Sequence, residues 1–89
     1  GYTMSQLSQL KAQINQVATN ISQTATQMNT YSRNLQNQIG QVSNAIGGTA
    51  TNEDKDMVAA LQLAQKSVQD AAVQLMQAAT KAKEWVTKA

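Results

Sequence analysis

Apolar residues recur along the first half of this chain with a period of seven. Leu7, Ile14, Ile21, Met28, Leu35 and Val42 form one row, and Leu10, Val17, Thr24, Tyr31, Gln38 and Ala45 follow three residues after each member. That is an a/d heptad pattern, the signature of a helix packed along one side. A strand needs alternation with period two, which is absent here. Met4, Ala18, Ala25, Ile39 and Ile46 fall on a third row and widen the stripe to what a packed helix buries. Thr24 and Gln38 are the polar breaks in the d row. They either fix register as buried polar groups or turn to solvent as the stripe drifts. The pattern predicts a helix over 4–46.

The rhythm stops at Gly47-Gly48-Thr49-Ala50-Thr51-Asn52. A glycine just past the last periodic residue ends a helix by taking a backbone conformation that a Cβ would oppose. Thr51 or Asn52 is placed to cap a second helix, and Glu53, Asp54 and Asp56 put negative charge in its first turn. A second heptad then runs over 53–88, with Leu61, Val68, Leu75 and Ala82 at a, and Met57, Ala64, Ala71, Ala78 and Trp85 at d. Lys81, Lys83 and Lys88 lie at its C-terminal end, the favourable sign for a cation.

A short turn requires the helices to be antiparallel. The expected fold is therefore all-α: a hairpin of two long helices joined by a Gly-Gly turn, each roughly 55–65 Å long at 1.5 Å per residue. Folding about 49 and 50 sets Val42 by Met57, Leu35 by Ala64, Met28 by Ala71, Ile21 by Ala78 and Ile14 by Trp85. Large residues of one helix then face mostly alanine on the other, which permits close packing.

Composition narrows the function. The chain has 89 residues, no Cys, no His and no Pro. Disulfides, thiolate metal sites and imidazole ligands are excluded, so a partner chain or very regular packing must supply what a small core lacks. A partner hairpin completing a four-helix bundle is expected. Catalysis lacks a histidine base and a cysteine nucleophile, and capping accounts for the acidic group at 53–56. No phosphate-binding glycine loop is present, because Gly47-Gly48 follows a helix. A net charge of +2, dispersed along the chain, and only three aromatics (Tyr2, Tyr31, Trp85) argue against nucleic acid. The longest apolar run, 57–61, is far too short to span a membrane. No basic segment leads into an apolar stretch as in a secretory signal. Met4-Ser5-Gln6 reads as a natural start, which leaves Gly1-Tyr2-Thr3 either native or an added leader. The expectation is a protein without enzymatic activity, cofactor or metal.

Candidate contact residues lie outside the heptad rows. Leu63, Val73 and Met76 fall on the side of the second helix turned away from the first. They are either scattered exposed apolar residues or a second face on which a partner docks. Trp85 either closes the open end against Ile14 and Leu10 or serves as a partner anchor. Tyr31 is expected in the core opposite Val68. The polar face of the first helix is nearly uncharged, with only Lys11 and Arg33 between 5 and 46. It is either a plain solvated face or a surface that lies against other helices.

The Ile46-Gly47-Gly48 turn at mid-chain, flanked by two long helices, resembles the WXG superfamily of ESAT-like hairpins in type VII secretion systems. Ile46 stands where that family has Trp, and Gly48 where it has Gly. The resemblance covers nearly the whole chain in architecture. The turn Trp is missing, and so is the C-terminal Tyr-x-x-x-acid signal, since Ala89 follows Trp85 by four residues. The chain looks most like the divergent WXG-like partners of LXG toxins. The resemblance implies an export adaptor in the bacterial cytoplasm, or itself secreted without a signal peptide. Its partner would be another small hairpin, a second copy, or the helical N-terminal domain of a toxin. Leu63, Val73, Met76 and Trp85 would make the contacts. The alternative is a self-assembling structural subunit or a coiled-coil piece of a larger protein.

Overall fold

Both helices begin with the same local device. Thr3 caps the first: its Oγ1 accepts the Gln6 backbone N–H at 3.1 Å, and its own N–H donates to Gln6 Oε1 at 3.0 Å. Thr51 caps the second through Asp54, at 3.1 and 3.0 Å in the same two directions. Each reciprocal pair satisfies donors that the first helical turn leaves without partners. In the computed structural model, which describes residues 1–49 (of Thr49, the backbone only) and 51–89, helix α1 spans Met4–Ile46. A 3-10 turn covers Gly47–Thr49, and helix α2 spans Asn52–Lys88. Ala50, within the predicted turn, lies outside the described residues.

The helices form one antiparallel hairpin with extents of 68 × 17 × 13 Å. Its radius of gyration is 20.1 Å, against about 12 Å for a compact chain of this length. The accessible surface is 6551 Å², where a compact monomer of this mass exposes about 5,100 Å². Two helices side by side bury one stripe each and nothing more.

The stripe is not the one the a/d assignment predicts. The leading rows are correct: Leu7, Ile14, Ile21, Met28, Leu35 and Val42 on α1 and Leu61, Val68, Leu75 and Ala82 on α2 are half-buried. The second row on each helix lies four residues on, not three. On α1 it includes the fully buried Ala18, Ala25, Ser32 and Ile39, followed by Ile46. On α2 it is Val58, Gln65, Ala72, Ala79 and Val86. The predicted d rows face solvent for most of their length. Val17, Thr24, Tyr31, Gln38 and Ala45 are exposed, as are Met57, Ala64, Ala78 and Trp85.

The physical reason is size and polarity. The predicted rows would bury Thr24 and Gln38 and wedge Tyr31 and Trp85 between closely spaced backbones. The observed rows bring alanine to the middle of the hairpin and β-branched residues to its ends. The buried Ala18, Ala25, Ser32 and Ile39 of α1 and Ala72 and Ala79 of α2 thus lie among the half-buried leading rows of both helices. Met57, Ala64, Ala78 and Trp85, expected opposite the large residues of α1, are exposed, and Ala72 and Ala79 are buried instead. Val86, not Trp85, fills the seam at the open end, and Ser32 takes the level assigned to Tyr31.

Gly47 ends α1 at φ 69°, ψ −153°, with its N–H donating to the Ser43 carbonyl. That region of backbone space is essentially restricted to glycine. Nothing lies within 4 Å of a Cβ built at Gly47 or Gly48, and Gly48 has no positive φ. Gly47→Ala is therefore expected to lower stability by about 1–3 kcal/mol through backbone strain alone. Gly48→Ala should stay within about 0.5 kcal/mol of the parent. Thermal unfolding of the two variants checks this, and equal losses would contradict the turn geometry.

Candidate interaction surface

Among the described residues, no group of His, Cys, Asp or Glu side chains could hold a metal ion. No described helix is long and apolar enough to cross a membrane. The two ion pairs, Lys66–Asp70 at 3.3 Å and Lys81–Glu84 at 3.7 Å, are exposed and lie within one helix. Such pairs steady a helix slightly and do no chemistry.

The hairpin has two broad faces, one on each side of its seam. The first is fixed by two grooves. Asn29, Ser32 and Arg33 of α1 line one of them together with Gln69 of α2. Ser43, Ile46 and Gly47 line the other with Asp54, Lys55, Val58, Ala59 and Gln62 at the closed end, around a volume of 240 Å³. Both grooves are shallow and open. On each helix these face residues follow the leading row by one position: Ser8, Asn15, Ser22, Asn29, Gln36 and Ser43 on α1, and Lys55, Gln62, Gln69, Met76 and Lys83 on α2. This face is polar but for Met76.

The rows three residues on flank the seam from the other side on both helices, so they share the opposite face. Those rows hold Leu10, Val17, Thr24, Tyr31, Gln38 and Ala45 with Met57, Ala64, Ala71, Ala78 and Trp85, and no member is charged. Tyr31 is 59% exposed, Val17 53%, Met57 44% and Trp85 38%. The face runs the length of the hairpin and is broken only by Thr24 and Gln38. Large contiguous apolar surface of this kind marks interaction sites in soluble proteins.

The four contact residues singled out in the sequence do not form one patch. Leu63 and Val73 lie on the back of α2, away from α1, and Met76 lies on the polar face. All three are exposed, Leu63 at 67%. Trp85 belongs to the uncharged face, beyond their reach. At the turn, Ile46 is half-buried in the last layer of the seam, and Gly47 and Gly48 are exposed. The uncharged face itself escaped the sequence reading because its residues were assigned to the core. The signal was present: a row carrying Thr24, Tyr31, Gln38 and Trp85 is too bulky and too polar for a seam with alanine on both sides.

No family model matches the chain, and no curated protein or solved structure matches it either.

Proposed function

We propose that this chain is a non-enzymatic helix-packing module that assembles through the uncharged face carrying Val17, Tyr31, Met57 and Trp85. The observation that carries the reading is uncovered apolar surface. The hairpin exposes about 1,450 Å² more total surface than a compact chain of its mass, and the rows along one face carry exposed Val17, Tyr31, Met57 and Trp85 and no charge. Covering such a face against helices is how a two-helix unit gains the core it lacks. In this reading the protein is a structural hairpin, a coiled-coil subunit or a coiled-coil portion of something larger.

The test is a double substitution on that face. Val17→Lys with Tyr31→Lys should abolish association with any helical partner, self or foreign, while circular dichroism keeps its helical signal. Complexes that survive the double substitution unchanged would overturn the reading.

A second reading keeps the export context implied by the Ile46-Gly47-Gly48 turn. Its support is the hairpin itself, with its turn at Gly47 after a 43-residue helix. Here the module is an adaptor of type VII secretion, bound to a small hairpin or to a toxin's helical domain and exported without a signal peptide. Leu63, Val73, Met76 and Trp85 make the contacts. Leu63→Lys with Met76→Lys then removes the foreign partner recovered from native cells. In the structural reading, the same pair of substitutions changes nothing.

A further inference from the structure

We infer that the mid-hairpin groove on the polar face is a carboxylate-binding site, and that its ligand is an acidic side chain of a protein partner. The site is separate from the uncharged face, which flanks the seam on the other side, and its failure would leave the helix-packing reading untouched.

Asn29, Ser32 and Arg33 of α1 and Gln69 of α2 line this groove, around an open volume of 310 Å³. Each of these side chains offers a hydrogen-bond donor. Arg33 is the only arginine of the chain and the only charged residue between Lys11 and Glu53. Its planar guanidinium presents a fork that fits both oxygens of a carboxylate, which the point charge of a lysine does not. Neither ion pair among the described residues uses it. Asp70, the carboxylate next to Gln69, is held at 3.3 Å by Lys66 on its own helix.

Ser32 supplies a second observation. It is 1% exposed, and its Oγ is buried without a hydrogen-bond partner. Buried hydroxyls are rarely left so. Thr30, two residues earlier, donates to the Thr26 carbonyl at 3.3 Å, whereas Ser32 makes no such bond. An orphaned donor at the floor of a groove that also holds the chain's one arginine is suited to a group that arrives from outside. With that group in place, the Ser32 side chain turns about its Cα–Cβ bond, between staggered positions, to donate to it.

Charge and shape select the ligand. One guanidinium balances the single charge of a carboxylate. A phosphate monoester carries about −1.5 to −2 at neutral pH, which exceeds what Arg33 alone offsets. The two oxygens of a carboxylate have roughly four acceptor positions. The Arg33 fork takes two, and the Ser32 hydroxyl and a side-chain amide of Asn29 or Gln69 take the others. The groove is shallow, so a free small acid would leave most of its surface in water and bind weakly. An acidic side chain carried on a larger surface is held there by its surroundings. Ser22, Gln36 and Gln62 of the same face are uncharged and exposed, and offer that surface hydrogen bonds.

Titration of the full chain with N-acetylglutamate α-amide tests the site, followed by NMR at the Arg33 Nε–H and the side-chain amides of Asn29 and Gln69. These groups should shift together along one saturating curve, and the neutral N-acetylglutamine amide should give no such curve. Arg33→Lys keeps the charge and loses the fork, and should weaken binding several-fold. Ser32→Ala should weaken binding several-fold while raising the melting temperature, a pairing that a purely structural hydroxyl would not produce. Lys11→Gln should bind as the parent does. Shifts that stay linear throughout the titration would overturn the site, as would an Arg33→Lys or Ser32→Ala chain that binds as tightly as the parent. Acetate binding as tightly as the glutamate amide would overturn a protein side chain as the source. Tighter binding of inorganic phosphate would overturn carboxylate as the ligand class.

Discussion

Ala79→Glu is expected to unfold the hairpin, while Ala78→Glu leaves its helices in place. The two alanines are neighbours in sequence and differ by one step around α2. Ala79 is 1% exposed within the seam, whereas Ala78 faces solvent. Glutamate is a good helix former, so neither change is opposed by intrinsic propensity. The difference lies in packing and desolvation. At 79 a carboxylate would sit in the closed seam, cut off from water. An uncompensated buried charge costs about 3–5 kcal/mol. A chain of this size has a total stability of roughly 4–13 kcal/mol, and this hairpin, with so few buried side chains, belongs at the low end. At 78 the carboxylate stays hydrated. It would obstruct contacts across the uncharged face, but helicity at high dilution should change little. Circular dichroism at low concentration separates the cases. Equal loss of helicity in both variants would mean that the seam is not the row running through Ala72 and Ala79.

Ser32→Ala is expected to make the hairpin more stable, by about 1–3 kcal/mol. Ser32 is 1% exposed in the middle of the seam, and its Oγ has no hydrogen-bond partner. Other hydroxyls on these helices solve the same problem locally. Thr19, Thr24, Thr26 and Thr30 on α1, and Ser67, Thr80 and Thr87 on α2, each donate to the carbonyl four residues back. Ser32 makes no such bond, so folding strips its hydroxyl of water without replacement. Alanine removes that cost, keeps the small volume the layer requires, and is the better helix former. A melting temperature raised by roughly 4–8 °C per kcal/mol would register the gain. A melting temperature that falls would show that the hydroxyl finds a partner in solution.

Much of this fold was legible in the chain, for reasons that differ from element to element. The heptad rows fixed two helices, and Gly47 marked where the first one stops. The second cap could be narrowed to Thr51 or Asn52, and the structure selects Thr51, with Asp54 completing the reciprocal pair. The Thr3 cap has the same form with Gln6, and was obscured by treating the first three residues as a possible leader. The turn also bears on the family resemblance. The glycine corresponding to that family's is Gly48, but the backbone that demands glycine is at Gly47.

The candidate surface was much less legible. Leu63, Val73 and Met76 lie off the seam, as their helical spacing predicts, and all three are exposed. The uncharged face was mistaken for the core because rows three and four residues beyond the leading one both satisfy a helical stripe. They lie on opposite sides of the leading row, at roughly 60° and 40° from it, so either one forms a stripe with it.

By itself, the sequence determined that the chain forms two helices, where they begin and end, and that they run antiparallel. These are consequences of local hydrogen bonding, capping and the reach of a short turn, none of which needs a neighbour to be specified. Only the tertiary structure decided which of two adjacent rows is buried. That choice depends on how closely two backbones approach, and so on small residues such as Ala25, Ala72 and Ala79 standing in the seam. The same choice left Tyr31 and Trp85 outside, on the face from which the proposed function is read.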